Sequence, residues 1–341
     1  MPRMPLRAFQ DDRELLAPAL TDAAWSALRE ASLRMSCCRA DGYARTSGRG
    51  TRHFVHHRRG ACAWAPESEL HLAAKAALVE ACLAAGYPVR TEAAGPDWRA
   101  DVLCRGPRGP VAFEVQVTPV PLAELERRQA RYARDGVAGW WLMPEPPATY
   151  APRPDLPVFC LREEGGRLHA APVAPAGVAV LLADWARAVA GGRCAWRREA
   201  VAAREQEVEL LLLPERCRTC RAVNHLFAPA RGYTSACGLE IWPGADGPLL
   251  DRVAGLRLRP ELAAALRPQP GLSLPASRLV SDGGRPYRAL ACAMCGRPFG
   301  HAEFRAVAAA LHAGTPPSAR LTVRVQARDA RAPLPHWCAR C

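Results

Sequence analysis

Lysine is almost absent from this chain. Of its 46 Lys and Arg residues only Lys75 is a lysine. No apolar run reaches the roughly 18 residues that a membrane-spanning helix needs, so no membrane partner is expected. The opening Met-Pro-Arg-Met-Pro-Leu-Arg lacks the apolar stretch of a secretory signal. A cytoplasmic location is therefore expected, and there the 14 cysteines point to metal ligands rather than disulfides. Charge of one sign is in surplus: 46 basic residues face 33 acidic ones, a net +13. Such a balance suits a polyanionic partner. However, heavy use of Arg, Ala, Pro and Gly also follows from GC-rich coding, so the local pattern of charge carries more weight than the total. From Tyr43 to Gly60, Arg45, Arg49, Arg52, Arg58 and Arg59 occur with three histidines and no acid. That stretch reads as a candidate nucleic-acid surface.

A length of 341 residues suggests two or three domains. Divisions are expected at 1–65, 66–145, 146–214 and 215–341. The first holds an amphipathic helix near 22–35, with Thr21 as N-cap, and a Cys/His element. The third begins with a proline-dense linker. It continues with a short strand and an apolar helix over 158–190, then a helix over 196–213 ending in Leu210-Leu-Leu-Leu213. The fourth is rich in Gly/Pro turns and in Cys-x-x-Cys pairs.

The densest chemical signal lies between Trp98 and Val117. Two apolar runs flank a Gly/Pro turn, which reads as a hairpin. In the second run Val111, Phe113, Val115 and Val117 share one face, while Ala112, Glu114 and Gln116 share the other. A carboxylate there is costly unless it is paired or binds a cation. Asp101, on the first run, brings a second carboxylate, and two hard oxygen ligands on adjacent strands suit Mg²⁺ or Mn²⁺. A helix is expected over 67–85, with Glu67, His71 and Lys75 four residues apart on one face. Strands follow at 88–93, 100–105 and 111–118, then a polar helix near 121–135 and an apolar strand at 138–143. Arg128 and Tyr132 lie four apart on the polar helix, placed to meet nucleic acid or to brace Glu114.

That α-β-β-β-α-β order resembles the core of the PD-(D/E)XK nuclease superfamily. Within it, the chain is similar to the competence protein CoiA-like family. The likeness rests on Glu67-Ser68, His71 and Lys75, on Arg99-Ala-Asp-Val102, on Glu114-Val-Gln116, on Arg128 and Tyr132, on Trp140 and Trp141, and on His53-Phe-Val-His56. The resemblance covers roughly residues 36–145. It implies an α/β (α+β) fold with a mixed sheet, and Mg²⁺-dependent cleavage of DNA in uptake or recombination. Asp101 and Glu114 would hold the metal, with Glu67 or Glu92 assisting. Gln116 occupies the position usually held by lysine. It can orient a water but cannot act as a base, and Lys75 is then the candidate source of the missing charge. The neutral Gln116 keeps open a DNA-binding protein that does not cut. A third reading makes the chain an assembly factor whose cysteine module docks protein.

Two zinc modules are expected. One draws on Cys38, His53, His56 and Cys62, with Cys37 beside them. The other uses Cys217/Cys220, Cys292/Cys295 and Cys338/Cys341. Two of these pairs make a tetrahedral set, and the sequence leaves open whether Cys292/Cys295 joins the first pair or the last.

Overall fold

The computed structural model describes residues 5–58, 67–174, 178–243, 249–256, 259–282, 285–327 and 330–339. Arg59, Cys62 and Cys341 lie outside the described residues. The chain divides into two compact units, Met1–Trp196 with His336–Cys341, and Arg197–Pro335. No described helix is long and apolar enough to cross a membrane.

The first unit opens with a five-stranded antiparallel sheet. Its strands are β1 (Arg7–Gln10), β2 (Arg13–Leu16), β3 (Leu33–Met35), β4 (Asp41–Thr46) and β5 (Arg52–His56), in the order β2-β1-β3-β4-β5. The helix expected over 22–35 is shorter. Helix α1 covers Asp22–Ala27, capped by the Thr21 hydroxyl, which accepts from the Ala24 N–H at 3.2 Å. One 3₁₀ turn follows, and Leu33–Met35 is strand. Leu33 and Met35, two apart, are both buried and Arg34 is exposed, so a period of two displaces the helical one.

The larger sheet holds seven strands. They are β6 (Val89–Ala94), β7 (Arg99–Gly106), β8 (Gly109–Val115), β9 (Ala138–Met143), β10 (Val158–Glu164), β11 (Arg167–Pro172) and β12 (Val180–Leu181). The order is β12-β11-β10-β9-β8-β7-β6. The pairs β8–β9 and β9–β10 are parallel and the others antiparallel, so the sheet is mixed. Helix α2 (Glu69–Ala84) precedes it, α3 (Leu122–Arg134) connects β8 to β9, and α4 (Leu182–Ala190) follows β12. The expected α-β-β-β-α-β order is present, with 158–190 continuing the same sheet.

Alternation along β8 divides the core. Val111, Phe113 and Val115 pack with α2 and α4 residues such as Leu72, Leu78, Trp185 and Val189. Ala112 packs with Leu125 and Tyr132 of α3 and with Trp141. Helix α2 is buried nearly all round, including Leu72, Ala74, Leu78, Val79, Ala81 and Cys82. This suits a helix that lies between a sheet and other elements. At Gly106 a Cβ would sit 1.9 Å from the Ala190 carbonyl oxygen, so the end of β7 meets the end of α4 at a distance only glycine allows.

In the second unit the expected helix over 196–213 is absent. Ala195–Val201 and Glu205–Arg216 are strands. Arg, Ala, Glu and Leu favour helix by propensity. Yet Val208, Leu210 and Leu212 are buried while Glu205, Glu207 and Glu209 point outward, and tertiary burial with period two prevails. Glu205–Arg216 pairs antiparallel with Val223–Pro229 on one side and Ala319–Gln326 on the other. The outer face carries cross-strand ion pairs, Arg320–Glu209 at 2.8 Å and Arg324–Glu207 at 3.4 Å. The helix His301–His312 sets Phe304 edge-on against Phe227, 5.7 Å between ring centroids.

Candidate active site and metal centres

The acidic cluster is built where α2 crosses the β6–β7–β8 hairpins. Ser68 caps α2, its hydroxyl accepting from the His71 N–H at 3.1 Å. Glu67 thus stands just outside the helix rather than in its first turn. Lys75 is fully buried. Its Nζ donates to Glu67 Oε1 at 3.0 Å and to Glu92 Oε1. Burial by itself would push the Lys75 ammonium down, but the charges of Glu67, Glu92 and Asp101 outweigh it and hold the amine protonated. Glu92 reaches this position from a left-handed backbone, φ +52°. That conformation costs a non-glycine residue roughly 1–2 kcal/mol. Bonds to Lys75 and to Arg99 Nε at 3.1 Å offset it.

Asp101 stands opposite Glu114, one step beyond the last paired positions, Val102 and Phe113. Asp101 Oδ2 accepts from the Val115 N–H at 2.9 Å and lies 3.3 Å from His71 Nε2. Burial raises the Asp101 pKa, but the His71 contact, the Lys75 charge and the Val115 amide overcome it, leaving it at about 2. Glu114 turns instead toward α3. Its Oε2 accepts from Arg128 Nη2 at 2.6 Å and its Oε1 accepts from the Tyr132 hydroxyl. Burial and the nearby Asp101 charge push Glu114 up to about 8, against the pull of Arg128 and Tyr132. Two neighbouring carboxylates, turned toward different helices, thus differ in proton affinity, one ionised and one favouring its proton.

The expected row Glu67–His71–Lys75 thus meets Asp101, while Glu114 belongs to a second group with Arg128 and Tyr132. Lys75 is saturated by carboxylates and closed to solvent, so it acts on the cluster and cannot reach a substrate. Lys75, the candidate source of the missing charge, thus directs that charge to Glu67 and Glu92. Gln116 is half-buried. Its amide donates to the Thr118 hydroxyl at 2.8 Å and to the Thr118 carbonyl at 3.1 Å, and its Oε1 is 3.5 Å from Arg128 Nη1. Arg128 also lies 4.7 Å over the Trp141 ring. Beside this group opens a cleft of about 470 Å³, lined by Trp98, Arg99, Arg128, Arg131 and Tyr132.

The N-terminal basic stretch is partly compensated. Arg49 pairs with Glu163 at 2.6 Å and lies 3.9 Å from Glu69, and Arg52 pairs with Asp22. Arg45 and Arg58 are exposed. Sequence reading missed these acids because they come from α1, α2 and β10, remote in the chain.

In the N-terminal metal cluster Cys37, Cys38 and His56 converge. His56 Nε2 lies 3.4 Å from Cys37 Sγ and 3.2 Å from Cys38 Sγ, and the two sulfurs are 3.7 Å apart. His53 does not join them. Residues three apart on a strand face opposite sides, and its Nδ1 lies 3.1 Å from the Thr51 carbonyl. An HxxH pair converges on a helix, not on β5.

In the second unit Cys217, Cys220, Cys292 and Cys295 converge, with all four sulfurs within 4.8 Å of one another. Cys217–Cys295 is 3.7 Å and Cys220–Cys292 is 3.6 Å. Tetrahedral thiolates at 2.3 Å from a metal stand about 3.8 Å apart, so the set fits zinc. Cys338 is not among these four. Each pair sits in a tight knuckle: the Arg221 N–H donates to the Cys217 carbonyl at 2.9 Å, and the Gly296 N–H to the Cys292 carbonyl at 3.0 Å. The buried Asn224 side chain braces the set, donating to Cys292 Sγ at 3.3 Å and accepting from the Ala293 N–H at 2.9 Å. Sequence reading missed Asn224. It lies in strand Val223–Pro229, well before Cys292 in the chain, and only its burial marks it.

No curated protein and no solved structure matches the chain. Residues 67–150, the stretch that holds Glu67, His71, Lys75, Asp101, Glu114, Arg128 and Tyr132, match the family described as competence protein CoiA, nuclease-like domain.

Proposed function

We propose that this protein is a metal-dependent nuclease acting on DNA. The observation that carries the reading is that Asp101 and Glu114, on the adjacent strands β7 and β8, feel each other's charge and have split proton affinities. Glu114 is raised partly because the negative charge of Asp101 is incompletely balanced there. A divalent cation held by these carboxylates would relieve the repulsion that a proton now relieves. The donors are hard oxygens, which suits Mg²⁺ or Mn²⁺. When bound, the ion supplies Lewis-acid polarisation of a phosphate oxygen and a more acidic water.

The remaining residues divide the work. Lys75, through Glu67 and Glu92, fixes the carboxylate cluster and keeps Asp101 ionised. His71 orients Asp101. Arg128 is a quarter exposed, at the rim of the Trp98–Arg131 cleft. It is the cation nearest Glu114 that a substrate phosphate can reach. Gln116, anchored on Thr118, offers a neutral amide at the position where a lysine would stand, and hydrogen-bonds rather than deprotonates. The two cysteine clusters are structural zinc sites. They couple metal binding to folding because the unfolded chain has no preformed site.

Incubation with labelled single- and double-stranded DNA and RNA, in Mg²⁺, Mn²⁺ or EDTA, tests the reading. Divalent-dependent cleavage lost in Asp101→Ala and in Glu114→Gln is expected. Undiminished cleavage in either variant removes the site. Absence of cleavage on every substrate favours a DNA-binding protein that does not cut. The observation on that side is that Gln116 is neutral and that Arg128 and Tyr132 already engage both Glu114 oxygens.

A further inference from the structure

The second unit carries a charge pattern that the acidic cluster does not explain. The two knuckle segments, 216–223 and 276–300, contain seven arginines and one acid, Asp282, until the chain enters the helix at His301. Elsewhere in the same unit some arginines face carboxylates, as in Arg320–Glu209, Arg324–Glu207 and Arg305–Asp251. Around the knuckles one buried acid, Glu303, serves two of them, Arg297 at 3.3 Å and Arg218 at 3.7 Å. Among the described residues Arg221 and Arg278 face no carboxylate. Zinc with four thiolates carries a net charge near −2, too little to balance the whole set.

Geometry places these arginines together. The knuckles interlock through their sulfurs, and Glu303 ties Arg218 of the first to Arg297 of the second. The Arg278 guanidinium lies against Gly296, where a Cβ would meet its Nη1 at 2.9 Å. Arg278 sits in the hairpin Ala276–Asp282/Arg285–Ala291, which runs directly into Cys292. Arg278 pairs with Ala289 and Val280 with Tyr287, so Arg278 and Tyr287 share one face. Tyr287 is 48% exposed, and Met294, at the tip of the second knuckle, is 75% exposed.

A separate feature concerns Arg221. In the second knuckle the residue after Cys-x-x-Cys is Gly296, with φ +73°. In the first knuckle the same position is Arg221, with φ +63°. A left-handed backbone is natural for glycine and strained for arginine. An exposed arginine held where glycine fits better marks a position kept for its side chain.

We propose that the interlocked knuckles and their leading hairpin form a binding strip for single-stranded nucleic acid, made of residues outside the acidic cluster. Arg218, Arg221 and Arg278 contact successive phosphates, and Tyr287 stacks on a base. Guanidinium groups beside an exposed ring fit a backbone with unstacked bases. A duplex keeps its base faces stacked against one another and so offers none to the ring.

The test uses the full-length, zinc-loaded protein without added Mg²⁺ or Mn²⁺, so that it reads binding whether or not the protein cuts DNA. Anisotropy of a labelled single strand of about 12 nucleotides is measured from about 50 to 200 mM salt. In Arg218→Gln/Arg221→Gln/Arg278→Gln the slope of log affinity against log salt is expected to fall by about 2, at roughly 0.7 per phosphate contact. Tyr287→Ala is expected to weaken binding about tenfold with the slope unchanged, and Tyr287→Phe to restore it. Arg221→Gly removes the strained side chain, so it leaves the fold intact and lowers affinity. Zinc content measured in each variant is expected to match the parent protein. Unchanged affinity and slope in the triple variant overturn the proposal. So does weakening that appears only where zinc is lost, or a duplex bound as tightly as the single strand and indifferent to Tyr287→Ala.

Discussion

Replacing Lys75 by methionine keeps most of its volume and removes its charge. In the folded protein Lys75 is the shared counter-ion of Glu67 and Glu92, with both ion pairs closed to solvent. Its charge also contributes to holding Asp101 at about 2. Taking one partner from a buried ion pair typically costs about 3–5 kcal/mol, because the carboxylates left behind are desolvated and repel one another. A domain is stable by only about 5–15 kcal/mol, so the variant should sit near the edge of folding. The pH dependence also changes. In the parent protein the folded Lys75 pKa is raised above 10.5. Its contribution is therefore present below 10.5 and is lost as pH rises through the folded value. Asp101, depressed from 3.8 to about 2, contributes stability above pH 3.8, lost as pH falls toward 2. In Lys75→Met the carboxylates are expected to take up protons on folding, so the variant should gain stability as pH drops from neutral toward about 5. Eight of the nine tryptophans lie in the first unit, only Trp242 being in the second, so urea unfolding followed by tryptophan fluorescence reads the unit concerned. A loss under about 1 kcal/mol, or a gain on acidification no larger than the one Glu114 gives the parent, would refute Lys75 as the keystone of the cluster.

Other expectations concern Glu114 and the metals. Without a divalent cation Glu114 is raised from 4.5 to about 8. The folded state therefore holds a proton that the unfolded state has released, and stability should decline between about pH 5 and 8. Glu114→Gln should flatten that decline, worth on the order of 4 kcal/mol, in the same fluorescence titration. Mn²⁺ added to the parent at pH 7 should release protons, detected in weakly buffered solution, and Glu114→Gln should release fewer. Cys292→Ser should lower zinc measured by elemental analysis, whereas Cys338→Ser should leave the four-sulfur set loaded. Asn224→Ala should weaken zinc retention against a chelator about 10- to 100-fold, as outer-shell losses commonly do. In Co²⁺-substituted protein Cys38→Ser should alter the thiolate charge-transfer absorption of the first unit's cluster, while His53→Ala should not.

The sequence by itself determined the elements with strong periodicity and the chemistry carried by fixed spacing. The alternation along β8 assigned Val111, Phe113 and Val115 to one layer and Ala112 and Glu114 to the other, and the structure keeps that division. The Cys-x-x-Cys spacing marked thiolate ligands because a knuckle is a local structure. Tertiary structure alone decided what depends on partners remote in the chain. It joined Cys217/Cys220 to Cys292/Cys295, a choice the spacing left open. It turned 196–213 from helix into strand, because sheet burial outweighs propensity. It separated His53 from His56, since a strand sends residues three apart to opposite faces. It also made Lys75 a buried counter-ion of Glu67 and Glu92. A helical row shows which side chains share a face, whereas the depth of that face depends on what packs over it.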